Sequence, residues 1–357
     1  MMYPCYRKRC TSTYRKCCTC SYRYIMKKKA PNIFSFATSE LSQDAMFAWL
    51  ISWSAPEYAE TDPELHRIGQ CFVRLLAGKN PDFKIVSVDV GRQWENIDIW
   101  AEINDNTFLV VEDKTGTSIH DDQLERYKAS VEKEYTGKRT DLCYAYVKTA
   151  EESGSVLKSI EQCGFRTINR ADILKCLEEY KGSDSILVSY REHLREIDAR
   201  VNSFRSRPEK EWGWDAWQGF YKELESRVDI DSWNYVANPA GGFLGAWWHF
   251  VKVEEDCTMY LQFEQGKLCF KISYEGEENF SEVRYRNYSK LMALAKDRHP
   301  EIRKPDRFGV GTYMTIAVVD EVSIFGEGVV NFDELTYKLQ QYEILIDECC
   351  NSKVRKE

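Results

Sequence analysis

The spacing of apolar side chains between residues 39 and 78 predicts two helices. The first is expected from a cap at Ser39 or Thr38 onward, with apolar residues at helical spacing: Leu41, Ala45, Trp49 and Leu50. The second runs from about Pro63 through Leu76 and is closed by Gly78, since proline is common in a first helical turn and glycine just after a last one.

A run rich in Val and Ile follows the second helix and predicts three strands, at about 84–90, 96–103 and 107–114. A helix over 120–135 and a strand over 142–147 come next, and a strand near 165–168 and helices near 172–181 and 185–200 extend this layer. The order of helix, three strands, helix and strand predicts an α/β fold with a mixed sheet flanked by helices.

The pattern breaks around residues 202–211, and the sequence beyond it is rich in tryptophan. Candidate strands at 259–263 and 268–272 and a helix over 333–347 predict a smaller α+β domain. We therefore expect two domains, 31–205 and 206–357. The second contains no catalytic constellation that the sequence reveals.

Residues 1–30 are of a different kind, with nine Lys or Arg, no acidic residue and five cysteines. Cys17 and Cys20 have the CxxC spacing of zinc ligands, and Cys5 and Cys10 lie upstream, so a small zinc knot is one interpretation. A disordered tail, or a translation start at Met26 that leaves this segment outside the native protein, is the preferred one.

The charge of the whole chain is −8, but the basic first 30 residues leave 40 basic against 57 acidic side chains in the rest, a net charge near −17. Such a body does not attract nucleic acid through its general field, so a polyanionic substrate needs a local basic patch or a metal ion. The other eight cysteines are scattered, which suits a reducing compartment, and no apolar run is long enough to span a membrane. We expect a cytoplasmic protein without a membrane segment.

The predicted hairpin between the second and third strands brings ionisable groups together. If residues 104–106 form a three-residue loop, Ile103 pairs with Thr107, and the same register places Asp98 opposite Glu112. Lys114 then lies on the same face, because side chains alternate along a strand. A two-residue loop would instead place Asp98 opposite Asp113.

Two carboxylates side by side repel each other, so a shared Mg²⁺ ion is the simplest reason to keep both ionised. Such an ion activates water and neutralises charge on a phosphate, and Lys114 can orient or deprotonate the nucleophile. The sequence thus predicts a metal-dependent phosphodiesterase site.

The segment 33–148 resembles the PD-(D/E)XK nuclease superfamily, whose signature is an Asp on one strand and Glu-x-Lys on the next. Here these are Asp98 within Ile97-Asp98-Ile99, and Glu112-Asp113-Lys114. Gln123 and Tyr127 match the Gln-x-x-x-Tyr motif of its RecB-like branch. The resemblance implies a restriction-endonuclease-like core of αβββαβ order and a bacterial source.

The resemblance also implies roles for individual residues. Asp98, Glu112 and Asp113, through its carbonyl, would bind Mg²⁺, for which Mn²⁺ can substitute. Glu40 on the first helix completes the catalytic set of Glu40, Asp98, Glu112 and Lys114, with Asp44 as its substitute, while Gln123 and Tyr127 hold the substrate or the site. The expected activity is hydrolysis of nucleic acid, DNA rather than RNA.

Two alternatives remain open. The fold can serve as a catalytically silent nucleic-acid-binding or assembly module of a defence or repair complex. The aromatic second domain can also be the functional part, as a module that binds a protein partner or senses a ligand.

Overall fold

The computed structural model describes residues 31–117, 119, 122–138, 140–238 and 241–351, and within these ranges the chain forms two five-stranded sheets. Residues 1–30 lie outside the described residues, so the zinc knot, the disordered tail and the start at Met26 stay predictions. None of the described helices combines the length and the apolar character that a membrane-spanning helix needs.

The first domain contains six α-helices and five strands among its described residues. In chain order they are α1 (Glu40–Ser52), α2 (Pro63–Ala77), β1 (Val88–Trp94), β2 (Ile97–Ile103), β3 (Thr107–Lys114), α3 (Gln123–Glu134), β4 (Asp141–Lys148), α4 (Gly154–Gln162), β5 (Arg166–Asn169), α5 (Arg170–Glu178) and α6 (Ser185–Val201). The strands lie side by side in the order β1-β2-β3-β4-β5. The first three are antiparallel and the last three are parallel, so the sheet is mixed, as the sequence predicts.

Helices cover both faces of this sheet. Apolar side chains of α1, α2, α5 and α6 pack on one face, and those of α3 and α4 pack on the other. The central strand β3 is therefore buried along its whole length. This burial explains the uninterrupted apolar run 108–111, because a strand covered on both sides has no solvent-facing positions. The charged residues Glu112, Asp113 and Lys114 follow that run at the carboxyl end of the strand.

The second domain has its own sheet and its own core. Its elements are α7 (Trp214–Leu224), β6 (Ile230–Val236), β7 (Phe243–Glu254), β8 (Cys257–Glu264), β9 (Lys267–Tyr274), α8 (Phe280–Ala295), β10 (Tyr313–Val319), α9 (Glu321–Phe325) and α10 (Phe332–Asn351). The five strands are antiparallel throughout, in the order β6-β7-β8-β9-β10. Four of the tryptophans that mark this part of the sequence lie in the core: Trp212, Trp217, Trp233 and Trp248.

The predicted α/β fold class and the second α+β domain are confirmed, but two local predictions are wrong. The first strand begins at Val88 rather than near residue 84, because the side chain of Asn104 bonds to Lys84 and Val86 in place of a strand ladder. On α1, Leu41 is 57% exposed and does not belong to the buried face. That face carries Met46, Phe47, Leu50 and Ile51, with the polar Gln43 and Asp44 at its start. The boundary at 205/206 stays a prediction.

Candidate active site

The hairpin of β2 and β3 has the register that the sequence predicts. Ile103 pairs with Thr107 and Ile99 with Val111, so one further step places Asp98 opposite Glu112. Oδ2 of Asp98 accepts a hydrogen bond of 3.1 Å from the backbone N–H of Asp113. The three-residue loop is therefore confirmed, and the alternative pairing of Asp98 with Asp113 is wrong.

Glu112 is the centre of the cluster and has no exposed surface. Its Oε1 is in direct contact with the ammonium of Lys114 and accepts a 2.7 Å hydrogen bond from Nε2 of Gln123. The same amide donates to the hydroxyl of Tyr127 over 2.6 Å. Gln123 and Tyr127 lie four residues apart on one face of α3, which brings both to the carboxyl end of β3. Tyr127 is only 5% exposed, so this geometry suits holding Glu112 better than contacting a substrate.

Glu40 joins the cluster from the first turn of α1. Its Oε1 accepts hydrogen bonds from the backbone N–H of Thr115, at 3.3 Å, and from the hydroxyl of Thr117. Its Oε2 lies 3.8 Å from the Lys114 ammonium. The structure thus brings together all the residues that the sequence proposes for the site, from three separate parts of the first domain.

A second set of buried polar groups lies on the α1 side of β3, and its centre is Gln43, which was not among the predicted site residues. The amide of Gln43 donates to Oδ1 of Asp113 over 2.7 Å, and its Oε1 accepts from the hydroxyl of Tyr190 at 2.9 Å. Oδ1 of Asp113 is therefore bonded to Gln43, and its Oδ2 is buried without a hydrogen-bond partner among the described residues. Because side chains alternate along a strand, this carboxylate lies on the face of β3 opposite to Glu112, and the carbonyl of Asp113 is the candidate metal ligand. The signal in the sequence was the spacing, since Gln43 follows Glu40 by one helical turn.

Asp44, the proposed substitute for Glu40, is 1% exposed and lies 3.6 Å from the guanidinium of Arg92. Neither of its carboxylate oxygens has a hydrogen-bond partner among the described residues. Burial, and secondly the nearby Asp98 carboxylate, raise the pKa of Asp44 to about 6. Asp44 therefore lies beside the cluster, in a different position from Glu40.

Burial makes the carboxylates of the cluster difficult to ionise. It raises the pKa of Glu112 to about 8, with a further contribution from the Asp98 carboxylate, and it raises the pKa of Asp113 well above its ordinary range. For Lys114, burial lowers the pKa, but the carboxylates of Glu112 and Asp98 outweigh it and raise the pKa above 10.5. Lys114 is thus a stable cation, which suits orienting a water or stabilising negative charge better than removing a proton.

The chemistry of the donor set fits a divalent cation. Oε2 of Glu112 is buried and has no hydrogen-bond partner in the described part of the chain, so a ligand position is free. No group of three or more His, Cys, Asp or Glu side chains in that part is arranged to hold a metal by itself. Mg²⁺ often takes only one or two carboxylates and completes its coordination with water and substrate phosphate, which is what Asp98 and Glu112 can offer.

The fold and this cluster define a class of protein: a mixed α/β domain with an acidic pair and a lysine on adjacent central strands. A comparison with protein-family profiles matches residues 31–211, about half of the chain, to the PD-(D/E)XK nuclease superfamily, and the chain belongs to that superfamily. Its members are typically nucleases and generally use divalent metal ions. Searches of curated proteins and of solved structures found no match.

Proposed function

We propose that this protein is a Mg²⁺-dependent nuclease that hydrolyses phosphodiester bonds of DNA, with RNA as the alternative substrate. One observation carries the proposal: Glu112 is contacted by Lys114 and Gln123 at one oxygen, while its other oxygen is buried near the Asp98 carboxylate and has no hydrogen-bond partner among the described residues. A surface acidic cluster would leave such a carboxylate in water, because burying an ionisable group is costly.

The proposed roles follow from the contacts. Asp98, Glu112 and the carbonyl of Asp113 would hold Mg²⁺, or Mn²⁺ in its place. The bound ion would supply a polarised water and neutralise charge on the phosphate. Lys114 orients the attacking water and stabilises negative charge with its ammonium, and Glu40 fixes that ammonium from the α1 side.

A cavity beside the cluster offers room for the substrate. It has a volume of about 660 Å³ and is lined in part by Glu95, Asn96, Gln123 and Arg126. Arg126 supplies a guanidinium at its wall, a group that binds phosphate well. Gln123 borders both the cavity and the Glu112 carboxylate, so a backbone phosphate bound there would be separated from the cluster by that side chain. The bacterial source and the cytoplasmic location are part of the proposal.

The test uses the full-length protein with labelled DNA and RNA in Mg²⁺ or Mn²⁺, together with calorimetric titration of each metal. Asp98→Asn and Lys114→Met are each expected to remove cleavage, and Asp98→Asn to weaken metal binding, because each loses one required charge. Asp105→Asn is the matched control, since Asp105 is an exposed carboxylate in the loop of the same hairpin.

Wild-type cleavage that survives either site substitution would contradict the assignment of the site. Tight binding of DNA or RNA in EDTA, with no cleavage in either metal, would favour the silent binding module instead. Unchanged circular dichroism and melting temperature in the variants show that the fold is intact.

A further inference from the structure

Lys148 is a second lysine at the carboxyl end of the central strands. It is the last residue of β4 and lies directly opposite Lys114 in the parallel register of β3 and β4. Unlike Lys114, it is not one of the residues assigned to the hydrolytic site. It is 4% exposed, so its ammonium is buried and is not placed to touch a substrate.

The ammonium of Lys148 holds the loop that follows β3. It donates to the carbonyl oxygen of Thr117 and lies 3.4 Å from Oε2 of Glu152, which is also buried. The hydroxyl of Thr117 in turn donates to Glu40, as does the backbone N–H of Thr115. Lys148 therefore fixes the main chain of Thr117, and the side chain of Thr117 in turn fixes Glu40.

Two residues of the second domain bond to the segment 152–154, which includes Glu152, the counterion of Lys148. The ammonium of Lys222, on α7, donates to the carbonyl of Glu152 over 3.1 Å. Glu225, just after α7, accepts a 2.9 Å hydrogen bond from the N–H of Gly154, the first residue of α4. The N-cap residue of α4, Ser153, makes no side-chain capping bond of its own. The carboxylate of Glu225 thus supplies the cap and complements the positive end of the helix dipole.

We propose that Lys148 is a positioning residue of the hydrolytic site, holding the loop 115–117 and through it Glu40, and that the second domain keeps Lys148 in place through Lys222 and Glu225. This inference rests on the nuclease function proposed above. It gives the second domain a specific task, which is to support the geometry of a site that lies in the first domain.

The expected kinetic effect differs from that of a substrate-binding residue. Without the ammonium of Lys148, the carbonyl of Thr117 and the carboxylate of Glu152 lose a shared partner, and the loop is free to move. Small displacements of a reacting group slow catalysis strongly, whereas a buried residue that does not touch the substrate leaves ground-state binding unchanged. Removing the ammonium of Lys148 should therefore lower kcat and leave KM unchanged.

The first arm of the experiment measures kcat and KM of the full-length protein on labelled DNA in Mg²⁺. Lys148→Met should lower kcat by about 10- to 100-fold with KM little changed. Lys148→Arg, which keeps the charge and the donors, should restore part of that loss, and Lys222→Met should lower kcat in the same direction but less. Lys128→Met is the matched control, since Lys128 also donates to a carbonyl, that of Cys163, and should leave both constants unchanged.

The second arm does not depend on activity and measures hydrogen exchange of a peptide covering residues 113–117. Exchange should be faster in Lys148→Met and in Lys222→Met, but not in Lys128→Met, because the N–H of Thr115 loses the fixed acceptor of Glu40. This arm separates the two proposals. If the wild-type protein cleaves neither DNA nor RNA, the nuclease function fails, and the exchange data still decide whether Lys148 positions the loop.

Three outcomes would overturn the inference. An unchanged kcat in Lys148→Met, in a protein that cleaves, removes the positioning role, and so does unchanged exchange in a protein that does not cleave. A Lys222→Met protein that matches the wild type in both arms would show that the second domain does not keep Lys148 in place.

Discussion

At the scale of single residues, the site is defined by the carboxylate of Glu112, which is buried away from water. Glu112 is fully buried, and only one of its two oxygens has partners among the described residues. A buried group of this kind costs stability and persists when function requires it. Oε2 of Glu112 therefore gives the carboxyl end of β3 an oxygen to which a cation can bind.

This burial predicts a pH dependence of stability in metal-free buffer. The folded-state pKa of Glu112, about 8, lies above the ordinary value of 4.5, so the folded protein holds this proton more tightly than the unfolded chain does. The stabilisation is present at low pH and is lost as the pH rises from about 4.5 through about 8. Compared with Glu112→Gln, which stays neutral, the wild type should lose melting temperature progressively over that range in EDTA.

Thermal melts of both proteins across the range measure this difference. Glu132→Gln, an exposed change on α3, is the control and should follow the wild type at every pH. Parallel curves for the wild type and Glu112→Gln would contradict the raised pKa. Added Mg²⁺ should remove most of the difference, because a bound cation favours the ionised carboxylate.

At the scale of elements, α1 joins the cluster to the core. Its first turn carries Glu40, and one turn later Gln43 bonds to Asp113 of β3 and to Tyr190 of α6. The side chain of Gln43 also lies 3.3 Å from the hydroxyl of Thr149, just after β4. One buried amide therefore fixes α1 relative to three other parts of the first domain. Such a network is stabilising only while every member keeps its partner.

Replacing Gln43 by Leu tests this role of α1. Leucine fits an apolar helix face, but it leaves the Asp113 carboxylate and the Tyr190 hydroxyl without their partner. We expect a loss of about 1–3 kcal/mol in the free energy of unfolding, the usual cost of unsatisfied buried polar groups. Urea denaturation measures it.

The control on the same helix is Leu41→Ala, where the side chain is 57% exposed. This change should alter the free energy of unfolding by about 0.5 kcal/mol or less. A Gln43→Leu protein as stable as the wild type would show that the network does not fix α1.

At the scale of the whole molecule, charge limits how the protein meets nucleic acid. The chain from residue 31 onward has a net charge near −17, which repels a polyanion at long range. Attraction must then come from local groups, of which Lys114 and Arg126 lie at or beside the cluster. A bound divalent ion would add the missing positive charge at close range.

We therefore expect DNA binding to depend on the metal. In the Lys114→Met protein, which should not cleave, binding of labelled DNA measured by fluorescence anisotropy should be clearly weaker in EDTA than in Mg²⁺. Asp105→Asn in the same background is the control and should keep the full difference. Equal affinity in the two buffers would mean that the protein attracts DNA through surfaces other than the proposed site.

The sequence by itself determined most of the local order of the first domain and the residues proposed for its candidate site. Apolar periodicity set most helix and strand types, and the turn residues at 104–106 placed the hairpin. The sequence left a two-residue and a three-residue loop open, and the structure decided for the three-residue register that joins Asp98 to Glu112. These features depend on neighbours in the sequence. The elements that were not predicted from the sequence are α4, α7, α8, α9, β6, β7 and β10. Two of them, α4 and α7, are amphipathic at helical spacing and could have been found, whereas α8 has only a weak local period.

Only the tertiary structure decided which polar groups are buried together. Gln43 bonds to Tyr190, which is 147 residues away in the sequence, and Lys222 bonds to Glu152, which is 70 residues away. No local pattern can predict either contact. The wrong face predicted for α1 has the same origin, since a helix that supports a polar site buries Gln43 and Asp44 and exposes Leu41. Local periodicity records what is apolar, whereas the packing of distant segments decides which polar side chains gain partners and can therefore be buried.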